Sequence, residues 1–399
     1  MPQKAEVIFP GGSMPVPQQG TRIYFIDYTR AFIVALVVVL HAAVSYLSFF
    51  PYKWVVVDRA GSPLCDYVVL LSEFFVMAVL FFIAGYLAPP SLAKNGPARF
   101  ARSRLYRLGI PFVFGLCVMC PVMTYVRDLA KGKAVAGYFS YWLLTYFHGK
   151  MYAGYLWFLS TLLIIMLLYC CACAASPRLK AWLQAQPDGG SGRLLRPGGL
   201  LVMGMAIGLC VFVINLLVPD AYWVRLGQKG IIVFQPTRLP VYIGFFLWGI
   251  WACRADWRFM KEPDSSAALL GWGAGSLICC VVYVGLLQAF HETMESSIAL
   301  RLALGILRAV GPLCITMLLL GIFKVWCSAP SCWKDSLAAN AYGMYVAHIP
   351  IVVLLQYWLI PAAIPAAAKF AVVAGLSLPL SFSLSHFVIR RLPVIGRYF

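Results

Sequence analysis

Five ionisable side chains fall inside stretches of the chain that are otherwise apolar. They are Arg30, His41, Glu73, Arg308 and His348. An ionisable group at membrane depth costs a few kcal/mol, so it is kept where it pairs with another group or takes part in chemistry. These side chains are therefore the first candidates for a functional site.

Arg30 and His41 lie eleven residues apart in one apolar stretch. On an α-helix, eleven residues rise about 16 Å and complete almost three turns, so both side chains project from one face. That face combines a permanent cation with a base that titrates near neutral pH. Alternatively, Arg30 reaches the lipid headgroups and His41 makes a structural hydrogen bond.

The other three candidates have more than one interpretation. His348 is predicted to lie near mid-membrane, either as a site residue or as a core histidine bonded to a neighbouring hydroxyl. Glu73 has the chemistry to balance a buried arginine, orient a histidine or bind a substrate hydroxyl. A structural ion pair accounts for Glu73 equally well, and it is the favoured reading of Arg308.

A sixth candidate feature is a pair of arginines, Arg104 and Arg107, in a polar segment between two apolar stretches. Residues three apart are neighbours on a helix. Two adjacent guanidinium groups match the geometry of phosphate oxygens. Ordinary loop charge, which sets membrane topology, explains the same residues.

Composition indicates the elements that must position these side chains. The 399 residues are 62% hydrophobic and 12% charged, with a formal net charge of +18. Soluble domains are nearer 25% charged, so lipid must solvate much of this chain. The lysines and arginines sit in short loops between apolar stretches, which favours contacts with membrane lipids and argues against nucleic acid. Histidines and acids at membrane depth are too few and scattered to predict a metal site.

Stretches of about 20 apolar residues predict about ten transmembrane helices and an all-α polytopic fold. The predicted helices are 24–47, 67–89, 108–126, 154–176, 198–218, 236–254, 267–288, 302–325, 337–359 and 368–389. With the N-terminus inside, inner segments hold 19 lysines and arginines and outer segments hold 11, which predicts that both termini are cytoplasmic. The predicted organisation is a flexible tail (1–22), one transmembrane domain (23–391) and a C-terminal tail (392–399).

Five short motifs then follow one another in a fixed order. They are Phe25–Ala31 with His41, Phe81–Leu87, Arg104–Pro111, Leu156–Leu159, and Asn340–His348. Together they resemble the bacterial integral-membrane acyltransferases known as type-three acyltransferases, in which an Arg, ten residues and a His mark the first helix. Ala84 stands where the family commonly has Ser, and Tyr155 where it has His. The forms "GYL" and "LWFL" are shared with a branch that modifies periplasmic glucans.

The resemblance implies an enzyme that moves an acyl group from cytoplasmic acyl-CoA, usually acetyl-CoA, to a hydroxyl of an extracytoplasmic carbohydrate or glycolipid. It implies a multi-pass protein of the inner (plasma) membrane. In this hypothesis Arg104 and Arg107, with Arg30, bind the donor, and His41 is the base. Glu73 or His348 orients that base or binds the acceptor.

Two other classes of protein remain open at this point. A transporter or flippase for a lipid-linked sugar or small solute would also have buried charges and a basic inner face. A structural or signalling membrane protein would tolerate substitution of Arg30 and His41. Whether His41 activates the acceptor or carries the acyl group is also open.

Overall fold

A computed structural model describes residues 22–49, 54–133, 137–184, 195–227, 230–255, 265–290, 293, 296–393 and 395–399. Apart from Arg22, the predicted N-terminal tail lies outside the described residues. At the other end of the chain, the predicted tail 392–399 includes a 3₁₀ turn, Gly396–Tyr398, and the Tyr398 ring lies 5.8 Å from that of Tyr106.

The described chain is almost entirely helical. Its helices are α1 Tyr24–Ala43, α2 Pro63–Arg104, α3 Ile110–Phe114, α4 Cys120–Ala130, α5 Tyr138–Ser140, α6 Trp157–Ala175, α7 Pro177–Gln184, α8 Pro197–Leu217, α9 Leu239–Arg254, α10 Ser266–Phe290, α11 Ile298–Trp326, α12 Cys332–Leu359 and α13 Ala366–Ser383. Two short antiparallel strands, β1 Val224–Leu226 and β2 Ile232–Phe234, form a hairpin between α8 and α9, with Arg225 opposite Val233.

Eight helical stretches among the described residues are long and apolar enough to cross a membrane. One of them, Pro63–Ala130, contains both the second and the third predicted helix. The sixth predicted helix corresponds to α9, which has 16 residues. The protein is thus an all-α polytopic membrane protein, as the sequence predicts.

Helix α2 continues past the predicted end of the second span. Pro89, Pro90 and Pro97 all lie inside it, and the backbone turns at Gly96, whose φ is 71°. Proline removes one backbone donor but does not by itself end a membrane helix, since neighbouring groups re-satisfy the carbonyl. The run then continues to Ala130 through π-helical turns at Leu105–Gly109 and Gly115–Met119.

Helices α2 and α9 pack with their backbones in direct contact. A Cβ atom at Gly85 would overlap the backbone carbonyl of Phe246, and one at Gly249 would overlap that of Phe82. Small residues allow this close approach of membrane helices. The glycine of the motif Phe81–Leu87 is therefore explained by packing.

The helical bundle has two distinct ends. The basic end is where α1 begins and α2 finishes, and it carries the segment Arg99–Arg107. The loop end is where α1 leads into the connection before α2.

Candidate active site

Helices α1 and α12 bring His41 and His348 together, although 307 residues separate them in the chain. His348 Nε2 lies 3.3 Å from His41 Nδ1, and the ring centroids are 5.0 Å apart. Two of the predicted site residues therefore form one histidine pair in the core of the bundle.

Backbone carbonyls fix which ring nitrogens carry protons. His41 Nδ1 is 2.8 Å from the carbonyl oxygen of Val37, and His348 Nδ1 is 2.6 Å from that of Tyr345. A carbonyl only accepts, so each Nδ1 must be the protonated nitrogen. His348 Nε2 then has a lone pair and shares the His41 Nδ1–H with Val37. By this assignment, neutral His41 has its own lone pair at Nε2.

The two histidines differ in exposure. His348 is fully buried, whereas His41 is half-buried. Aromatic rings surround the pair, with Trp54 centred 5.4 Å from His41 and Tyr155 centred 5.5 Å from His348. His41 is therefore the more exposed member of the pair, and His348 is enclosed by protein.

Tyr155, at the position where the family has His, has a structural role beside the pair. Pro350 lacks an N–H, so the helix cannot provide the usual donor to the carbonyl of Val346, four residues earlier. The Tyr155 hydroxyl donates to that oxygen at 2.6 Å, and Tyr345 donates in return to the Tyr155 carbonyl at 2.7 Å. Sequence spacing alone did not predict these two hydrogen bonds of Tyr155. The only signal for them is Pro350, two residues after His348, which leaves the Val346 carbonyl without its helical donor.

Arg30 lies three turns below His41, toward the basic end. Its guanidinium is 3.2 Å from Asp27, and its side chain is 41% exposed. Arg22 also binds Asp27 and contacts Asp335, which in turn accepts from Tyr28. Arg30 thus belongs to a cluster of charged side chains at the N-terminal end of α1, which lies at the basic end of the bundle.

Arg104 and Arg107 lie at the basic end, near enough for their charges to repel each other. Arg104 stacks over Phe100 at 4.8 Å and donates to Ser91 Oγ at 2.6 Å. In the part of the chain that the structure describes, no group accepts a hydrogen bond from its buried Nε. Arg107 is exposed. The pair therefore has guanidinium donors available for an anion.

One helix connects this arginine pair to the histidine pair. Tyr342 of α12 donates to the backbone carbonyl of Arg107 at 2.8 Å. His348 follows six residues later, which is about 9 Å along the helix axis. The arginine segment is therefore hydrogen-bonded to α12, which also carries His348.

Glu73 and Arg308 lie in a different group of charges. Arg308 pairs with Asp220 at 2.5 Å, and Glu73 interacts electrostatically with Arg238 and Tyr242. Burial alone would raise the pKa of Asp220, but Arg308 and Arg238 lower it to about 2. Opposite charges thus compensate one another here, and Glu73 is placed among them.

The described residues include no group of three or more His, Cys, Asp or Glu side chains arranged to hold a metal ion. The site offers the chemistry of one imidazole base, His41, that is hydrogen-bonded to a second, neutral imidazole, His348. Such a base can remove a proton from a hydroxyl near neutral pH.

These features define a polytopic membrane protein with a histidine pair between two of its helices and a basic end. Residues 23–386 match the family model described as "Acyltransferase domain", so the chain belongs to the type-three acyltransferase family. Comparison with curated proteins and with solved structures gave no match.

Proposed function

We propose that this protein moves an acyl group, expected to be acetyl, from cytoplasmic acyl-CoA to a hydroxyl of an extracytoplasmic carbohydrate or glycolipid. The observation that carries the proposal is the histidine pair, in which His41 has a lone pair at Nε2 and hydrogen-bonded support at Nδ1. Membership of the acyltransferase family favours acyl transfer over transport.

In the proposed reaction, His41 Nε2 takes the proton from the acceptor hydroxyl. The hydroxyl oxygen attacks the thioester carbonyl carbon, the new C–O bond forms, and the C–S bond breaks. His41 then returns its proton to the leaving sulfur, which releases CoA as the free thiol. While His41 is a cation, its Nδ1–H bond to His348 Nε2 becomes a charge-assisted hydrogen bond and is strengthened.

The donor would bind at the basic end, which we place on the cytoplasmic side. Arg104 and Arg107 would hold phosphate groups of CoA, because their guanidinium donors match phosphate oxygens. Arg30, closer to the histidines along α1, would meet the donor between the phosphates and the acyl group. Charge excess in the basic-end segments supports this orientation, which gives an inner-membrane protein with both termini inside.

A covalent acyl-histidine would use the same Nε2 atom of His41. In that route the imidazole Nε2 attacks the thioester carbonyl carbon and the C–S bond breaks, so that CoA leaves as the thiolate. The acceptor hydroxyl then attacks the acyl-imidazolium, the N–C bond breaks, and the hydroxyl proton neutralises the thiolate. Intact-protein mass spectrometry after treatment with acetyl-CoA alone separates the two routes. An added acyl mass that His41→Ala abolishes would support the covalent route.

The test of the function is mass spectrometry of surface and periplasmic glycans from a deletion strain. We expect an acyl mass to disappear on deletion and to return with the wild-type gene. We expect His41→Ala to restore no more than about 1% of it, because loss of a general base costs about 10²- to 10⁴-fold in rate.

The matched control is His148→Ala, since His148 is an exposed histidine of the same chain. This variant should restore full acylation. Wild-type acylation by a well-expressed His41→Ala protein would contradict the mechanism, and an unchanged glycan profile on deletion would contradict the function itself.

A further inference from the structure

The connection between α1 and α2 is anchored by hydrogen bonds and an ion pair at the loop end of the bundle. The Asp66 carboxylate accepts from the backbone N–H and the hydroxyl of Ser48, at 2.8 and 2.6 Å. Further along, Asp58 forms a 2.7 Å ion pair with Lys369 of α13, and both side chains are at most 5% exposed. The described part of this connection is therefore held in a defined position next to the histidine pair.

Trp54 is the residue of this connection that meets the site. Its ring lies beside that of His41, and its indole N–H donates to Gln356 Oε1 at 2.8 Å. The Gln356 amide nitrogen donates to the carbonyls of His41 and Ala42, at 2.9 and 3.2 Å. One fully buried amide thus joins Trp54 to the backbone of the candidate base.

The orientation of this amide is fixed by its partners. An indole nitrogen only donates, so the oxygen of Gln356 must face Trp54. Carbonyls only accept, so the nitrogen must face His41 and Ala42. These two carbonyls belong to the last turn of α1, where helical donors run out. Gln356 therefore caps α1 immediately after His41 and holds the indole at the same time.

We propose that Trp54 is the surface on which a sugar ring of the acceptor packs, and that Gln356 is the positioning residue that holds it there. This inference rests on the proposed acyl transfer to a carbohydrate. An indole has a flat apolar face and one polar end, and here the polar end is already bonded. The exposed part of the ring is left to contact an apolar C–H face of a sugar beside His41.

The position of Trp54 in the bundle favours the acceptor, rather than the donor, as the molecule that binds to it. The indole follows the loop end of α1, whereas Arg104 and Arg107 lie at the basic end. Trp54 is half-buried, so it contacts His41 and still presents a surface to an incoming molecule. A hydroxyl on a ring packed there would lie beside His41, the half-buried member of the histidine pair.

The test compares two readouts in the same variants. Glycan acylation is measured by mass spectrometry in the deletion strain complemented with each variant, and the Kd for coenzyme A is measured on the purified protein. We expect Trp54→Ala to lower glycan acylation about tenfold or more, through loss of apolar contact, with the Kd for coenzyme A within about twofold of wild type. Trp54→Phe should keep acylation within about threefold, since a flat apolar face remains.

Trp358→Ala is the matched control, because Trp358 is an exposed tryptophan at the loop end of α12 and should leave both readouts unchanged. Unchanged acylation in Trp54→Ala would overturn the inference. So would a weaker Kd for coenzyme A in that variant, which would assign the indole to donor binding or to folding. No loss of acyl mass on gene deletion would instead mean that the proposed function had failed.

The role of Gln356 is tested through Trp54. Gln356→Leu should lower acylation about threefold to tenfold with an unchanged Kd for coenzyme A, because the indole loses its anchor. If Gln356 acts through Trp54, the double variant Trp54→Ala with Gln356→Leu should be no worse than Trp54→Ala alone. Additive losses would show that Gln356 acts on α1 independently, and the positioning role would be wrong.

Discussion

The helices that carry the histidines differ sharply from two others in the same bundle. In the most apolar stretch of each helix, 72% of the residues are buried in α12 and 67% in α1. The corresponding shares are 28% in α8 and 17% in α10. All four helices are apolar enough to cross a membrane, so hydrophobicity alone does not distinguish them.

The difference shows where packing constrains the chain. Side chains of α1 and α12 meet protein on most sides, so polar groups such as His348 and Gln356 can be buried with partners. Side chains of α10 mostly face outward, where lipid is the expected neighbour. The packed helices should be sensitive to small changes, and α10 should tolerate them.

The largest expected effect is that of Gly85→Ala in α2, compared with Gly285→Ala in α10. A Cβ at Gly85 would overlap the Phe246 carbonyl of α9, whereas nothing lies within 4 Å of a Cβ at Gly285. We expect Gly85→Ala to abolish the folded protein, as judged by size-exclusion chromatography in detergent and by thermal unfolding. Gly285→Ala should be at least as stable as wild type, since alanine is the better helix former. A folded Gly85→Ala protein would show that the α2–α9 contact adapts.

The next effect concerns the support of His41. His348→Ala removes the acceptor that faces His41 Nδ1, and a hydrogen bond to a charged group contributes about 1.5–3 kcal/mol. We expect kcat to fall about 10- to 100-fold, measured by CoA release. His348→Gln should lose less, because its amide oxygen can accept from His41 Nδ1–H. Ser276→Ala is the control, since it removes a buried polar group from α10.

A smaller effect is expected at the basic end of α2. Arg104→Ala should raise the KM for acyl-CoA about tenfold by removing a charge-assisted contact to phosphate, with a smaller change in kcat. Arg107→Ala should act in the same direction. Arg99→Ala provides the control, because Arg99 is an exposed arginine of the same segment. Equal KM values for Arg104→Ala and Arg99→Ala would remove Arg104 from the donor site.

The smallest effect is expected from Tyr155→Phe. Without the hydroxyl, the Val346 carbonyl is left without its 2.6 Å donor in the core. An unsatisfied buried group costs about 1–3 kcal/mol, which thermal unfolding should report as reduced stability. In a Pro350→Ala background the helix regains its own donor to Val346, so the cost should shrink. An equal cost in both backgrounds would contradict the proline explanation.

Sequence patterns predicted the helices well, because long apolar runs in a membrane protein must become helices. The single run Pro63–Ala130 was less predictable, since Pro89, Pro90 and Gly96 are typical of a break but only kink the chain here. Helical spacing also predicts that Arg30 and His41 share one face, because that relation is local.

Contacts between distant segments were beyond sequence reasoning. The pairing of His41 with His348 depends on how α1 docks on α12, which spacing within either helix does not encode. For the same reason, the roles of Trp54 and Gln356 were missed, and Tyr155 appeared only as a departure from a motif. The sequence left several roles open for Glu73, and its electrostatic interaction with Arg238 depends on the way distant helices pack.

The ion pair between Asp58 and Lys369 has a consequence for biosynthesis. Its partners are 311 residues apart, so Lys369 on α13 is synthesised long after Asp58. Until then the nascent chain lacks the ammonium group that Asp58 requires in its buried position. A truncated chain that ends before α13 would therefore leave the Trp54 connection unanchored at Asp58, so the site is completed only after α13 has been synthesised.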